Sequence, residues 1–202
     1  KVVAENFSDL CTDFITINEP QCAIGLGHLS GVHAPGMQYS VPETFQMAHN
    51  LMKAHGQAVI NLRKYAKQKI RAPTCGVAYP ASEGTKDIEA AKKVYFGFDN
   101  PMDNWTWNVA WFSDPVFLGE YPKEGLEKFA PYLPEITKED MELIHQPLDF
   151  MGQNIYNGYM IRCGKDGKPE YVDRAPGAAK TGTGWPVTPE ALYYGIRFLT
   201  ER

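Results

Sequence analysis

A short apolar run, Phe14-Ile15-Thr16-Ile17, delivers a polar pair, Asn18-Glu19, and stops at Pro20. A run of this length, rich in β-branched residues, reads as a buried strand. A carboxyl at the end of such a strand, covered by loops that strip water from it, is favoured in its protonated form, which is what a general acid needs. In a (β/α) barrel the functional groups gather at the C-terminal ends of the strands. Asn18 both donates and accepts hydrogen bonds, which suits a sugar hydroxyl. Taken by itself, the tripeptide favours a solvated Glu at a surface strand end.

The aromatic content bears on the same question. The chain carries 4 Trp, 11 Tyr and 10 Phe, many of them beside Asn, Gly and Pro. One reading is a large core with wet edges, because Tyr and Trp pack one face and hydrogen-bond through the other. The other is a pocket for a neutral polar ligand such as a sugar. Composition favours the core.

The elements that must position Asn18 and Glu19 follow from patterning. Residues 1–9 look like the tail of a helix. After the strand at 13–18 comes a loop rich in Gly and His, through Gly25, Gly27, His28, Gly31, His33 and Gly36. Ser40 and Glu43 have capping-box spacing, and Met47, Leu51, Ala54, Ala58, Leu62 and Tyr65 recur at steps of three and four. That recurrence predicts a long helix with those residues as its buried stripe, ending near Lys64, Lys67 and Lys69 as a solvated basic terminus. A second strand is expected over 74–79, closed by Pro80. Thr85 is placed to cap a helix with Ile88, Ala91, Tyr95 and Phe98 on one face. Asp114-Pro115 and Gly119-Glu120-Tyr121-Pro122 read as turns, Lys123 and Thr137 as helix starts, and 149–155 as a third strand. A β-hairpin is possible across 159–172. Thr188-Pro189-Glu190 then opens a final helix marked by Leu192, Ile196 and Leu199.

Helix and strand alternate from end to end, which predicts a parallel α/β architecture. Three strands neither close a barrel nor cover both faces and edges of a parallel sheet. Residues 1–202 are therefore expected to be a single incomplete segment of a larger (β/α) domain, lacking βα units on both sides.

Several function classes are disfavoured. The chain of 202 residues is 44% hydrophobic and 22% charged, with net charge -4, a globular composition. Lys and Arg number 20 against 24 Asp and Glu, which gives no general basic field for nucleic acid. No apolar run approaches the roughly 18 residues of a membrane span, and no signal peptide opens the chain, so the expected location is cytoplasmic. The four cysteines form no CxxC pair, which argues against a disulfide scaffold or zinc ribbon. His49 and His55 are six apart and are not expected to share a helix face, and His28 and His33 suit loop stabilisation better than metal binding. The glycines make no phosphate-binding fingerprint. No cofactor and no metal are called for.

The motifs then line up in order. Thr16-Ile17-Asn18-Glu19-Pro20, followed by Gly31-Val32-His33-Ala34-Pro35-Gly36, closely resembles glycoside hydrolase family 1, the β-glucosidase family. Trp111-Phe112-Ser113-Asp114-Pro115 with Gly119-Glu120-Tyr121-Pro122 is similar to the family segment between strands five and six. Asp149-Phe150-Met151-Gly152-Gln153-Asn154-Ile155-Tyr156 resembles strand six, and Gly184-Trp185-Pro186-Val187-Thr188-Pro189-Glu190-Ala191-Leu192 the approach to helix six. The resemblance covers essentially the whole chain. It implies an α/β fold that is part of a (β/α)8 TIM barrel, roughly strands four to six with their helices.

The resemblance also implies roles. Glu19 is the acid/base of a retaining β-glycosidase, and Asn18 binds the sugar 2-hydroxyl. Tyr156 holds the nucleophile through its phenol, and Asn154 supports the carboxylate pair. Cys22, His28 and Trp107 are candidates for the leaving-group side of the pocket; Cys22 has no base nearby in sequence to make it a nucleophile. The family nucleophile, the Glu of a Thr-Glu-Asn-Gly motif on strand seven, has no counterpart among residues 1–202, nor have the family's other sugar-binding groups. The expected partners are a small β-glycoside substrate and the remaining segments of the same barrel, in carbohydrate metabolism such as cellulose breakdown, with neither nucleic acid nor membrane. Pro20 looks like the β-glucosidase branch, since phospho-β-glucosidase relatives usually carry an aliphatic residue there, and the choice between the two branches stays open. The competing reading is a non-catalytic carbohydrate-binding or scaffold protein made from a truncated barrel.

Overall fold

The computed structural model describes residues 1–11, 13–65, 69–99 and 101–202, with the backbone alone at position 103. In chain order the elements are α1 (Val2–Phe7), β1 (Asp13–Ile15), α2 (Pro20–Ile24), α3 (Val41–Tyr65), β2 (Lys69–Arg71), β3 (Pro73–Cys75), β4 (Ala78–Pro80), α4 (Thr85–Phe96), α5 (Val109–Phe117), α6 (Lys123–Phe129), α7 (Lys138–Ile144), β5 (Gly152–Asn154), β6 (Tyr159–Cys163), β7 (Pro169–Tyr171) and α8 (Glu190–Glu201). They fall into two compact units, one of residues 1–74 and 100–152, the other of 75–99 and 153–202. No helix of the described residues is long and apolar enough to cross a membrane.

In the first unit, β1 pairs in parallel with β2, Phe14 opposite Ile70. The expected partner strand at 74–79 is thus displaced toward the N-terminus. Lys69, expected at a helix end, opens β2 instead, and Lys67 lies outside the described residues. The reason is Ile70. Its neighbours Lys69 and Arg71 hide it in a polarity pattern, yet it is buried against Phe14, Val59, Leu62 and Ala4. Burying an Ile or Phe side chain stabilises by about 1.5–3 kcal/mol, enough to outweigh the flanking charges. Gly76, at φ 89°, then breaks the expected single strand into β3 and β4.

The long helix α3 forms as expected, and Glu43 reaches back to Ser40 as the spacing suggests, its carboxylate accepting from the Ser40 amide at 2.8 Å and from the Ser40 hydroxyl at 2.6 Å, which is one half of a capping box. Its buried face is rotated from the predicted stripe. Phe45, Ala48, His49, Met52, His55 and Val59 point inward, whereas Ala54 is exposed. Both histidines share that inner side because each finds a partner there. His49 lies 3.1 Å from the Tyr121 hydroxyl and 3.2 Å from the Asp140 carboxylate; His55 lies 2.6 Å from the Thr16 hydroxyl. Further along, α7 crosses so close that a Cβ on Gly56 would collide with the Leu143 carbonyl.

Two of the four tryptophans, Trp105 and Trp111, are core. Trp105 stacks on Phe45 at 3.8 Å between centroids, and Trp111 and Phe129 close the cluster. The Asn108 side chain caps α5 by accepting from the Trp111 amide at 2.8 Å. Asp114-Pro115, expected as a turn, lies inside α5. Pro115 forfeits one helical hydrogen bond there, but every residue from Val109 to Val116 is buried, and that burial holds the helix. The Gly119 turn forms as expected, at φ 81°.

In the second unit, β4 pairs in parallel with β6, and β6 with β7 in antiparallel, Ile161 opposite Tyr171; the hairpin across 159–172 is present. Ala91, Tyr95 and Phe98 of the α4 segment are buried as expected, though Gly84 rather than Thr85 precedes the helix as its cap. In α8 the buried face is Ala191, Tyr194, Gly195 and Phe198, while Leu192 and Ile196 are exposed. Thr188 does not cap that helix; its hydroxyl accepts from the Gly158 amide at 2.9 Å.

Candidate active site

The backbone beyond β1 stays in step with the residues after β2. The Thr16 amide donates to the Arg71 carbonyl and the Glu19 amide to the Pro73 carbonyl, each at 3.1 Å. At Glu19 the chain turns: φ is 47° and ψ 69°, and Glu19 is the one non-glycine among the described residues with positive φ. Such a conformation costs on the order of 1–3 kcal/mol and persists only where the surroundings over-determine it. Here Pro20 starts α2 with a φ pre-set for the first helical position, and the Glu19 carbonyl accepts from the amides of Cys22 and Ala23. The corner leaves Asn18 exposed and Glu19 half-buried.

Three further candidates lie on the same unit. Cys22 is half-buried on α2, three residues past Glu19. His28, in the π-helical turn Gly25–Leu29, donates from Nδ1 to the Ala23 carbonyl at 2.8 Å and stacks on Tyr39. Its ring holds the loop together, which matches the loop-stabilising reading. Trp107 is 37% exposed at the end of the 3-10 segment Met102–Trp107, whose Trp105 and Thr106 are buried. That segment touches the α2 side directly: a Cβ on Gly25 would strike the Thr106 hydroxyl. The first unit therefore carries Asn18, Glu19, Cys22, His28 and Trp107.

Asn154 and Tyr156 belong to the second unit. Asn154 is half-buried at the end of β5, and Tyr156 is 61% exposed, with its ring edge-on to Trp185 at 5.4 Å. Beside them the Gln153 amide donates to the Gly76 carbonyl at 3.0 Å and to the Tyr95 hydroxyl at 3.1 Å. Burial pushes the Tyr95 phenol well up, so it stays neutral.

Thr16 and His55 are not among the site residues expected from the sequence, yet they meet in a hydrogen bond three residues before Glu19. A histidine amid the apolar positions of α3 was the available signal, and it is a weak one.

The pattern of glycosyl hydrolase family 1 matches residues 1–202 throughout. The chain belongs to glycosyl hydrolase family 1. Beta-glucosidase A of Thermotoga maritima is 34% identical over 209 residues, covering 100% of this chain and 43% of that protein. A beta-glucosidase of Agrobacterium sp. is 35% identical over 210 residues, again 100% of this chain and 43% of that protein. Among solved structures, a family 1 β-glucosidase from Thermotoga maritima in complex with isofagomine lactam superposes with a TM-score of 0.76 at 36% identity, over 100% of this chain and 43% of its own. This family 1 chain thus spans less than half the length of these relatives. Its fold is α/β and part of a TIM barrel, and the described residues close no barrel.

Proposed function

We propose that this family 1 chain supplies the acid/base half of a retaining β-glycosidase that removes terminal β-D-glucosyl or related residues. The observation that carries the reading is the Asn18–Glu19 corner. A carboxyl is presented at the end of a parallel strand, in a strained conformation held by flanking hydrogen bonds, within a chain that matches family 1 over its whole length. The names of the relatives support the glucoside class, and a Thermotoga maritima relative has been solved with deoxynojirimycin.

Retaining hydrolysis takes two carboxyl groups about 5–5.5 Å apart. Glu19 is the acid/base, and the nucleophile lies outside this chain. In the first step that nucleophile attacks the anomeric carbon while Glu19 gives its proton to the glycosidic oxygen, and the carbon–oxygen bond to the leaving group breaks. In the second, Glu19, now a carboxylate, takes a proton from water. The water oxygen bonds to the anomeric carbon and the nucleophile leaves. Asn18 hydrogen-bonds the sugar 2-hydroxyl, a contact of the kind that strengthens in the oxocarbenium-like transition state. Tyr156 orients the nucleophile, Asn154 supports the pair, and Cys22, His28 and Trp107 lie toward the leaving group, His28 through the loop it braces.

The remaining βα units come from other segments of the same barrel. Apolar side chains left open on barrel elements favour this: Ile15 on β1 is 46% exposed, and Leu192 and Ile196 on α8 are exposed as well.

The test is Glu19→Gln in the complete enzyme. Hydrolysis of a glycoside with a basic leaving group falls by about 10²–10⁴-fold, whereas a dinitrophenyl glycoside, whose departure needs no proton, loses far less in the first step. Equal losses on both substrates refute Glu19 as the acid.

A further inference from the structure

Three residues before Glu19 runs a short hydrogen-bonded chain that the glycosidase steps do not use. His55, in the middle of α3, is 1% exposed. Its Nδ1 lies 2.6 Å from the Thr16 hydroxyl. That hydroxyl in turn lies 3.3 Å from the Arg71 carbonyl, which already accepts the Thr16 amide. The other ring nitrogen, Nε2, is buried without a hydrogen-bond partner among the described residues.

These contacts decide the tautomer. Burial pushes the imidazole down to about 4, so near neutral pH it carries one proton. With that proton on Nε2, a buried N–H faces no acceptor, which is costly. The Thr16 hydroxyl then has to donate to Nδ1 and is lost to Arg71. With the proton on Nδ1, the ring donates to Thr16 and the Thr16 hydroxyl donates to the Arg71 carbonyl, so every proton has an acceptor. The direction is therefore His55 to Thr16 to Arg71.

The mechanical consequence follows from spacing. Thr16 is three residues before Glu19, and the backbone between them is tied at its two ends, to Arg71 and to Pro73. Ile17 and Pro20, which flank Asn18 and Glu19, line a small apolar cavity together with His55. The segment has room to shift unless its Thr16 end is locked from the side chain as well.

We propose that His55, acting through the Thr16 hydroxyl, is a positioning residue that sets where the Glu19 carboxyl stands. The proposal rests on the reading of Glu19 as the acid/base. A displacement of about 1 Å is enough to cost on the order of 10²-fold in a reaction that depends on alignment. Loss of the lock therefore acts on the proton-transfer step rather than on sugar binding.

The experiment compares kcat/KM of the complete enzyme on two aryl β-glucosides, one with a basic and one with an acidic leaving group, with Tm recorded for every variant. Thr16→Val and His55→Leu remove the lock; Thr16→Ser and His55→Asn keep a hydroxyl and an N–H donor in place. The lock-breaking variants are expected to lose about 10–10²-fold on the basic leaving group and far less on the acidic one, in kcat rather than KM, with the conservative variants close to wild type. Glu19→Gln is run alongside. If Glu19→Gln shows the leaving-group split and Thr16→Val does not, the positioning role is overturned while the acid/base reading stands. If Glu19→Gln shows no split, both fall. Should Thr16→Val or His55→Leu fail to fold, Thr16→Ala at reduced temperature carries the same comparison. A loss that is equal on both substrates, or that Thr16→Ser does not rescue, marks a purely structural contact and overturns the proposal.

Discussion

The amide of Glu19 donates to the carbonyl of Pro73 at 3.1 Å, so the residue proposed as the acid is tied to the strand beside its own rather than only to the helix it starts. Since Thr16 is tied in the same way to Arg71, the corner is built from two chain segments separated by the whole of α3. Its geometry answers to packing in α3 as well as to local sequence.

Gly56→Ala tests that dependence at a distance from the chemistry. The added methyl meets the Leu143 backbone carbonyl, which is not the end of a flexible side chain. Either α7 moves off α3 or the core strains, at a cost of about 1–3 kcal/mol. The expected outcome is a fall of several degrees in Tm; an unchanged Tm contradicts the close approach of the two helices.

The polar network one to two turns before Gly56 on α3 predicts a second loss. Asp140 accepts from the Thr137 amide at 3.2 Å, pairs with Lys53, and meets His49. The Lys53 ammonium and His49, in that order, hold the Asp140 carboxyl well below the usual range. Asp140→Ala removes a capping box and leaves buried His49 short of a partner, which together cost about 2 kcal/mol. Because the carboxyl is depressed in the folded state, its contribution is fully present above the unfolded value near 3.8 and is lost progressively as pH falls from there toward the lower folded value. Thermal melts at pH 7 and pH 3 read this directly: the gap between wild type and Asp140→Ala narrows at the lower pH.

His55 sets a separate window with the opposite origin. Burial lowers its folded value from 6.5 to about 4. Between those values the unfolded chain binds the proton and the folded chain does not, so stability rises with pH across the interval and is lost as pH drops from about 6.5 toward 4. The full effect is about 3 kcal/mol. His55→Asn carries no such proton, and its Tm against pH is expected to be flatter than wild type between pH 4 and 6.5. Parallel curves contradict the burial of a neutral imidazole at this site.

How much of this was legible in the sequence differs from element to element. The run Phe14 to Ile17 announced β1, and Asn18-Glu19-Pro20 announced the corner, because apolar pattern and turn chemistry agree there. The second strand was misplaced because Ile70 sits between Lys69 and Arg71, and a one-residue apolar signal carries no period. The face of α3 was misjudged because His49 and His55 were counted as polar, whereas tertiary partners far along the chain make each of them core. Asp114-Pro115 reads as a turn locally and is overridden by the burial of α5. The contact of Thr16 with His55 spans 39 positions, and nothing local encodes it.

The isolated chain is expected not to turn over an aryl β-glucoside, since the proposal places one of the two required carboxyl groups within it. An assay of purified residues 1–202, with and without the flanking barrel segments added as separate polypeptides, checks this. Turnover by the chain alone that Glu19→Gln abolishes means that a nucleophile lies among these residues.

The most direct measurement of the role of Glu19 is the stereochemistry of an azide product. In the complete enzyme carrying Glu19→Ala, a dinitrophenyl β-glucoside still forms the glycosyl-enzyme intermediate, because its leaving group needs no acid. Azide then attacks from the face that Glu19 has vacated and needs no general base. Two inversions at the anomeric carbon give the β-glucosyl azide, with a rate that rises with azide concentration. An α-glucosyl azide instead identifies Glu19 as the nucleophile, and no azide product with an unimpaired rate shows that Glu19 takes no part; either result contradicts the account.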